Sequence, residues 1–132
     1  MRNIYILLLL SMLTTGWGQD CDVPVCMSIQ SVNTGTLDIF MINQAGCSYS
    51  ENSTQIFDTS MDVAGCENME GTWFNGEVAG FQFNIEGVTI SSASGGTAEA
   101  AGFALSTSAN LVIGFSLSGA TIPSGDGVLV HV

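Results

Sequence analysis

From Val78 onward, apolar side chains recur at every second position in runs too short to be helices. Phe81, Phe83 and Ile85 form one set, followed by Val88 and Ile90, then Phe103 and Leu105. Leu111, Ile113, Phe115 and Leu117 come next, and Val128, Val130 and Val132 close the sequence. A period of two places such side chains on one face of a strand. The runs recur about every eight to twelve residues, between clusters of Gly, Ser, Asn and Asp, which is the spacing of an antiparallel sandwich or barrel. Upstream, Val25, Met27 and Ile29 alternate, as do Leu37, Ile39 and Met41 after the turn Asn33-Thr34-Gly35. Only residues 97–101 suggest a helical turn. Residues 49–76 are the least regular and read as a long decorated loop with at most one strand, over residues 55–58. The predicted fold is all-β: a single antiparallel β-sandwich over residues 19–132, with a cysteine-bearing acidic insertion at residues 44–76.

Charge excludes several functions. The 132 residues contain twelve Asp and Glu, one His and a single Lys or Arg, for a formal net charge of −11. That one cation is Arg2. Without cations to displace phosphate counterions, the chain is unsuited to nucleic acid, and an anionic membrane surface is excluded in the same way. Disorder is disfavoured, because 46% of residues are hydrophobic and only 10% are charged. Lysine chemistry is absent beyond residue 2, as are ordinary salt bridges. Burial, backbone ladders and covalent links must therefore hold the fold against like-charge repulsion.

The first 18 residues read as a secretory signal. Arg2 supplies the basic start, residues 4–13 the apolar stretch, and Gly16 and Gly18 the small residues of a cleavage site before Gln19. The apolar stretch is shorter than the roughly 20 residues that cross a bilayer, so no membrane insertion is expected after signal removal. A secreted or cell-surface location follows, and with it an oxidising environment for Cys21, Cys26, Cys47 and Cys66. An even cysteine number there implies disulfides, in one of three pairings. Cys21–Cys26 and Cys47–Cys66 is favoured because each pair brackets a short segment, the second worth about 3 kcal/mol by loop-closure entropy. Zinc is the weaker alternative, since no histidine lies near these cysteines.

Three motifs in order carry a resemblance: GFQF from Gly80, NLVIGFS from Asn110 and IPSGDGVL from Ile122, with TLDIFMIN at residues 36–43 as an earlier strand. Together they resemble the core of cohesin-type β-sandwich modules, which are similar in fold to certain cellulose-binding domains and jelly-roll-like in outline. The resemblance covers residues 25–43 and 78–132. It implies a secreted non-catalytic module that binds another protein, a polysaccharide or its own kind. Such modules continue past the last of these strands, whereas this sequence stops at Val132, so the resemblance implies an open apolar groove and an unpaired edge. Unpaired edges template pairing with another chain, and a strand donated by a neighbour would close the groove. Residues 19–29 are the expected donor, through Val25, Met27 and Ile29, with Phe81, Phe83, Phe115 and Val130 in the receiving core. The expected partner is the chain itself, in an open filament; the alternative is a monomer that binds polysaccharide or a dockerin-type surface protein.

Other chemistry reads more weakly. His131 is the lone histidine, and no GxSxG elbow or second base accompanies the abundant Ser and Thr, so no enzyme is expected. Asp58, Asp62, Glu67 and Glu70 crowd the irregular segment and suggest calcium, the one cofactor the sequence points to, although EF-hand spacing is absent. Tyr49, Trp73 and Phe74 are candidates for stacking on sugar rings. Asn52-Ser53-Thr54 is a glycosylation sequon.

Overall fold

The computed structural model describes residues 21–132; the signal-peptide reading lies outside the described residues. Nine strands and two short helices follow in order: β1 (Val25–Asn33), β2 (Thr36–Asn43), β3 (Gly46–Glu51), β4 (Thr54–Asp58), α1 (Val63–Asn68), β5 (Thr72–Phe74), β6 (Gly80–Asn84), α2 (Gly96–Ala100), β7 (Ala104–Thr107), β8 (Leu111–Phe115) and β9 (Gly125–His131). They form three antiparallel three-stranded sheets, in the orders β1-β2-β9, β4-β3-β5 and β6-β8-β7. The fold is all-β and disulfide-bonded.

The first and third sheets share one apolar core. Ile39, Met41, Leu129 and Val130 come from one sheet, Phe83 and Val112 from the other, and Ile85, Ile90, Ala98, Phe103 and Ile122 from the segments between. The Phe81 ring stacks on Phe83 at 5.9 Å and on Phe103 at 6.2 Å between centroids. The aromatic stack comes from β6 and the residue just before β7, so neighbouring segments on one side of the core share it.

Two strands depart from simple alternation. In β8 the inward positions are Val112 and Gly114, paired with Phe83 and Phe81, while Phe115 pairs with Gly80. Phe115 is 40% exposed and Leu117 is 87% exposed. The expectation that Phe115 belongs to the receiving core is thus corrected, and the alternating set Leu111, Ile113, Phe115 lies on the face away from Val112 and Gly114. The Phe81 ring fills the space over Gly114 and leaves no room for a Cβ there, which fixes the phase of the strand. In β9 the register shifts between the pairs Ile39–Val130 and Phe40–Val128. This bulge turns Leu129 inward beside Val130, both fully buried.

The segment expected to be a loop with one strand is instead the second sheet: the strand expected over residues 55–58 is β4, and β3 and β5 flank it in sequence. β3 and β4 form a hairpin closed by Asn52 and Ser53, both at positive φ (49° and 64°), the conformation a two-residue type I′ turn requires. Conversely, Val88 and Ile90 lie in no strand: Gly87 turns the chain at φ 83°, and the Ile90 amide donates to the Ala109 carbonyl.

Candidate functional site

β1 is an edge strand, bonded only to β2. Its register places Val25, Met27 and Ile29 opposite Asn43, Met41 and Ile39, so its three apolar side chains lie beside buried residues of the same sheet face. They pack against the common core as partly buried residues. The groove expected to await a neighbour's strand is therefore filled by the chain's own β1. The cause is local: Asn33 pairs with Thr36 across Thr34 and Gly35, and Gly35 at φ 81° turns the chain straight back. Of the expected receiving residues, Phe83 and Val130 are buried (6% and 0% exposed), Phe81 packs at the margin, and Phe115 lies on the opposite face of its sheet.

β1 carries an irregularity in its second half. The register slips between Gln30 and Asn33, Ser31 sits at φ 50°, and Val32 is 59% exposed. At its start, a disulfide joins Cys21 to Cys26, with Cα atoms 6.1 Å apart. This strand is braced at one end and bulged at the other, and bulges are one way natural edge strands limit uncontrolled pairing.

Asn43, the last residue of β2, is a buried polar residue at the edge of the core, 2% exposed. Its Nδ2 donates to the Gly76 carbonyl at 2.6 Å and to the Pro123 carbonyl at 2.8 Å. The Ser124 hydroxyl donates to the Asn43 carbonyl at 3.2 Å. One amide thus ties the first sheet to the exit of the second sheet and to the segment leading into β9. Sequence reading missed it; the only available signal was a polar residue ending an apolar alternation.

The second disulfide joins Cys47 to Cys66, both buried. It pins α1 to β3, and Gly71 lies so close that any side chain there would strike both sulfurs. The four candidate calcium ligands have other partners or none in common. Asp58 Oδ1 accepts the Ser60 hydroxyl at 2.6 Å and the Ser60 amide at 2.7 Å, which hold its carboxyl below the ordinary carboxylate range. Asp62 caps α1 by accepting the Gly65 amide at 2.8 Å. Glu67 and Glu70 are exposed. Among the described residues, no group of three His, Cys, Asp or Glu side chains is placed to hold a metal ion.

The candidate sugar-stacking trio is divided. Trp73 lies opposite Cys47, on the strand face that Tyr49 shares, whereas Phe74 lies opposite Gly46 on the other face. The three rings cannot form one platform. The uncharged apolar surface lies elsewhere, on the outer face of the third sheet. There Leu111, Ile113 and Phe115 run down the middle strand, with Gln82, Asn84 and Ser106 beside them. Asn52 is exposed at the β3–β4 tip, where its side chain is open to modification.

His131 is paired with Asp38 across β9 and β2, Nδ1 to Oδ1 at 2.6 Å. With 54% of its side chain exposed, it ties a sheet edge rather than lining a cleft. Comparison with family models, curated proteins and solved structures finds no match to this chain. The cohesin-type resemblance therefore rests on its motifs alone, and the two disulfides indicate an oxidising compartment. No helix among the described residues is long and apolar enough to cross a membrane.

Proposed function

We propose that this protein is a secreted, non-catalytic structural module of an extracellular filament or surface structure, and that its copies associate by exchanging β1. The observation that carries this reading is the position of β1. It is an N-terminal edge strand whose Val25, Met27 and Ile29 complete the core through a two-residue turn. A neighbour's β1 would make the same hydrogen bonds and fill the same places, so exchange costs only the opening of the turn. Swapping of identical elements is a low-cost route to assembly.

The test is a covalent lock. Ser28 and Phe40 are direct partners on the outer face of the β1–β2 pair, within the Cα separation a disulfide spans. The double variant Ser28→Cys/Phe40→Cys, once oxidised, should remain monomeric in light scattering and yield no filaments by electron microscopy, whereas the wild type should yield both multimers and filaments. Equal polymerisation of the locked protein would refute exchange.

A second reading has its own support. The outer face of β6-β8-β7 carries no charged side chain on its strands, with Phe115 between Gly80 and Ala104. A neutral polysaccharide would suit such a face. Binding to cellulose or chitin that disappears in Phe115→Ala would favour this reading.

A further inference from the structure

The chain enters the second sheet through residues 44–45 and leaves it through residues 75–79. These two crossings lie side by side: a Cβ on Gly76 would strike the Ser124 side chain and crowd the Ala45 nitrogen. Gly76 takes φ 86°, a conformation that favours glycine. Its carbonyl accepts the Asn43 amide at 2.6 Å. Two residues on, Val78 exchanges both backbone hydrogen bonds with Ile122, at 2.8 and 3.0 Å. The outgoing crossing is therefore held at Gly76 and again at Val78.

The residue before this glycine is chemically labile. Of the asparagines, only Asn75 is followed by glycine, which offers no side chain to hinder attack by its own nitrogen on the amide before it. Asn75 is exposed. One residue holds its amide group from both ends: Oδ1 accepts the Glu77 amide at 2.9 Å, and Nδ2 donates to Glu77 Oε2 at 2.9 Å. These bonds form an Asx turn and restrain the side chain that has to meet the Gly76 nitrogen. The Glu77 carboxylate also opposes loss of the Gly76 amide proton, because a nearby negative charge disfavours forming a second.

We infer that Asn75–Gly76 is a site of spontaneous deamidation, restrained by Glu77, whose isoaspartate product unfastens the Asn43 junction. The Gly76 nitrogen bonds to Asn75 Cγ, the Cγ–Nδ2 bond breaks, and the side-chain nitrogen leaves as ammonia, taking up the Gly76 proton. Water then opens the cyclic imide. Opening at the side-chain carbonyl gives aspartate. Opening at the main-chain carbonyl gives isoaspartate, in which the main chain runs through Cγ and is longer by a methylene. That added length displaces Gly76, which packs on Ser124 and holds Asn43, so one donor of a buried amide loses its partner. The new carboxylate also stands against Glu77 in a chain of net charge −11. Water is the sole co-reactant, and the reaction is independent of any exchange of β1.

Folded wild type, Glu77→Ala, Asn75→Gln and Asn75→Asp test it, incubated in mildly alkaline buffer beside a synthetic peptide of residues 71–77. Digestion after glutamate releases that same segment from the wild type and residues 71–86 from Glu77→Ala. Mass spectrometry then reads the exchange of NH2 for OH at Asn75. Locating it matters because Asp126-Gly127 is also prone to a cyclic imide, there by loss of water without release of ammonia. The wild type should react more slowly than the peptide, and Asn75→Gln should stay unmodified. Glu77→Ala should react roughly fivefold faster than wild type, the factor one modest hydrogen bond imposes on a local opening. By NMR, the isoaspartate fraction should show faster hydrogen exchange of the Asn43 side-chain amide. Freshly prepared Asn75→Asp, with the same added charge and an ordinary main chain, should keep that amide protected. A wild type still unmodified once Glu77→Ala has fully reacted, a Glu77→Ala rate no faster than wild type, or an isoaspartate form with Asn43 still protected would overturn the inference.

Discussion

Single side chains decide how the pieces of this fold are joined. Asn43 satisfies two carbonyls from distant segments, so replacing it with the similarly sized Leu leaves both unpaired in the interior. Asn43→Leu is expected to lose about 3 kcal/mol in urea unfolding, from the cost of buried unsatisfied acceptors. Thr97 is the converse case, because its hydroxyl is buried without a partner. Thr97→Val keeps the shape and removes that orphan, so it should raise stability by about 1 kcal/mol in the same assay. Asp58 provides the pH-dependent element. Its carboxyl is held below the ordinary range by the Ser60 hydroxyl first and the Ser60 amide second. A depressed folded-state value means the contribution is present above the unfolded value and lost as pH falls through the folded one. Carbon-detected NMR titration should show Asp58 protonating below an ordinary carboxylate, and Ser60→Ala should move it upward.

At the scale of elements, legibility depended on how clearly each strand separates its two faces. β6 alternates Phe81, Gln82, Phe83 and Asn84, and its inward face reads directly. β8 is Leu-Val-Ile-Gly-Phe, apolar at every position, so periodicity cannot tell which face is inside. The choice falls to Gly114, which yields its space to the Phe81 ring. Gly114→Ala should cost about 2 kcal/mol through overpacking, read as a lowered unfolding midpoint with unchanged slope. Of the second sheet only β4 was legible, over residues 55–58; Ser48 and Ser50 give β3 little apolar signal, and β5 is three residues long. The Cys47–Cys66 link holds that sheet to α1 and closes a loop of sequence separation 19. A Cys47→Ser/Cys66→Ser protein should lose about 3 kcal/mol, with amide exchange accelerating first in β3–β5.

For the whole molecule, charge is the dominant unbalanced term. Twelve carboxylates face one histidine and, beyond residue 2, no Lys or Arg, and the Asp38–His131 pair is too exposed to offset them. Raising sodium chloride from low to physiological strength should therefore raise the melting temperature, since the Debye length contracts to about 8 Å and repulsion is screened. The sequence by itself determined the all-β class, the acidic surface and the oxidising setting, because alternation, composition and cysteine count are local properties that folding does not change. It also located the turn at Asn33-Thr34-Gly35. Only the tertiary structure decided that β1 closes its own sheet, that Phe115 and Leu117 face outward, and that Asn43 joins three segments. Those outcomes depend on register and on which distant residue occupies a shared space, and neither is encoded in any single stretch of the chain.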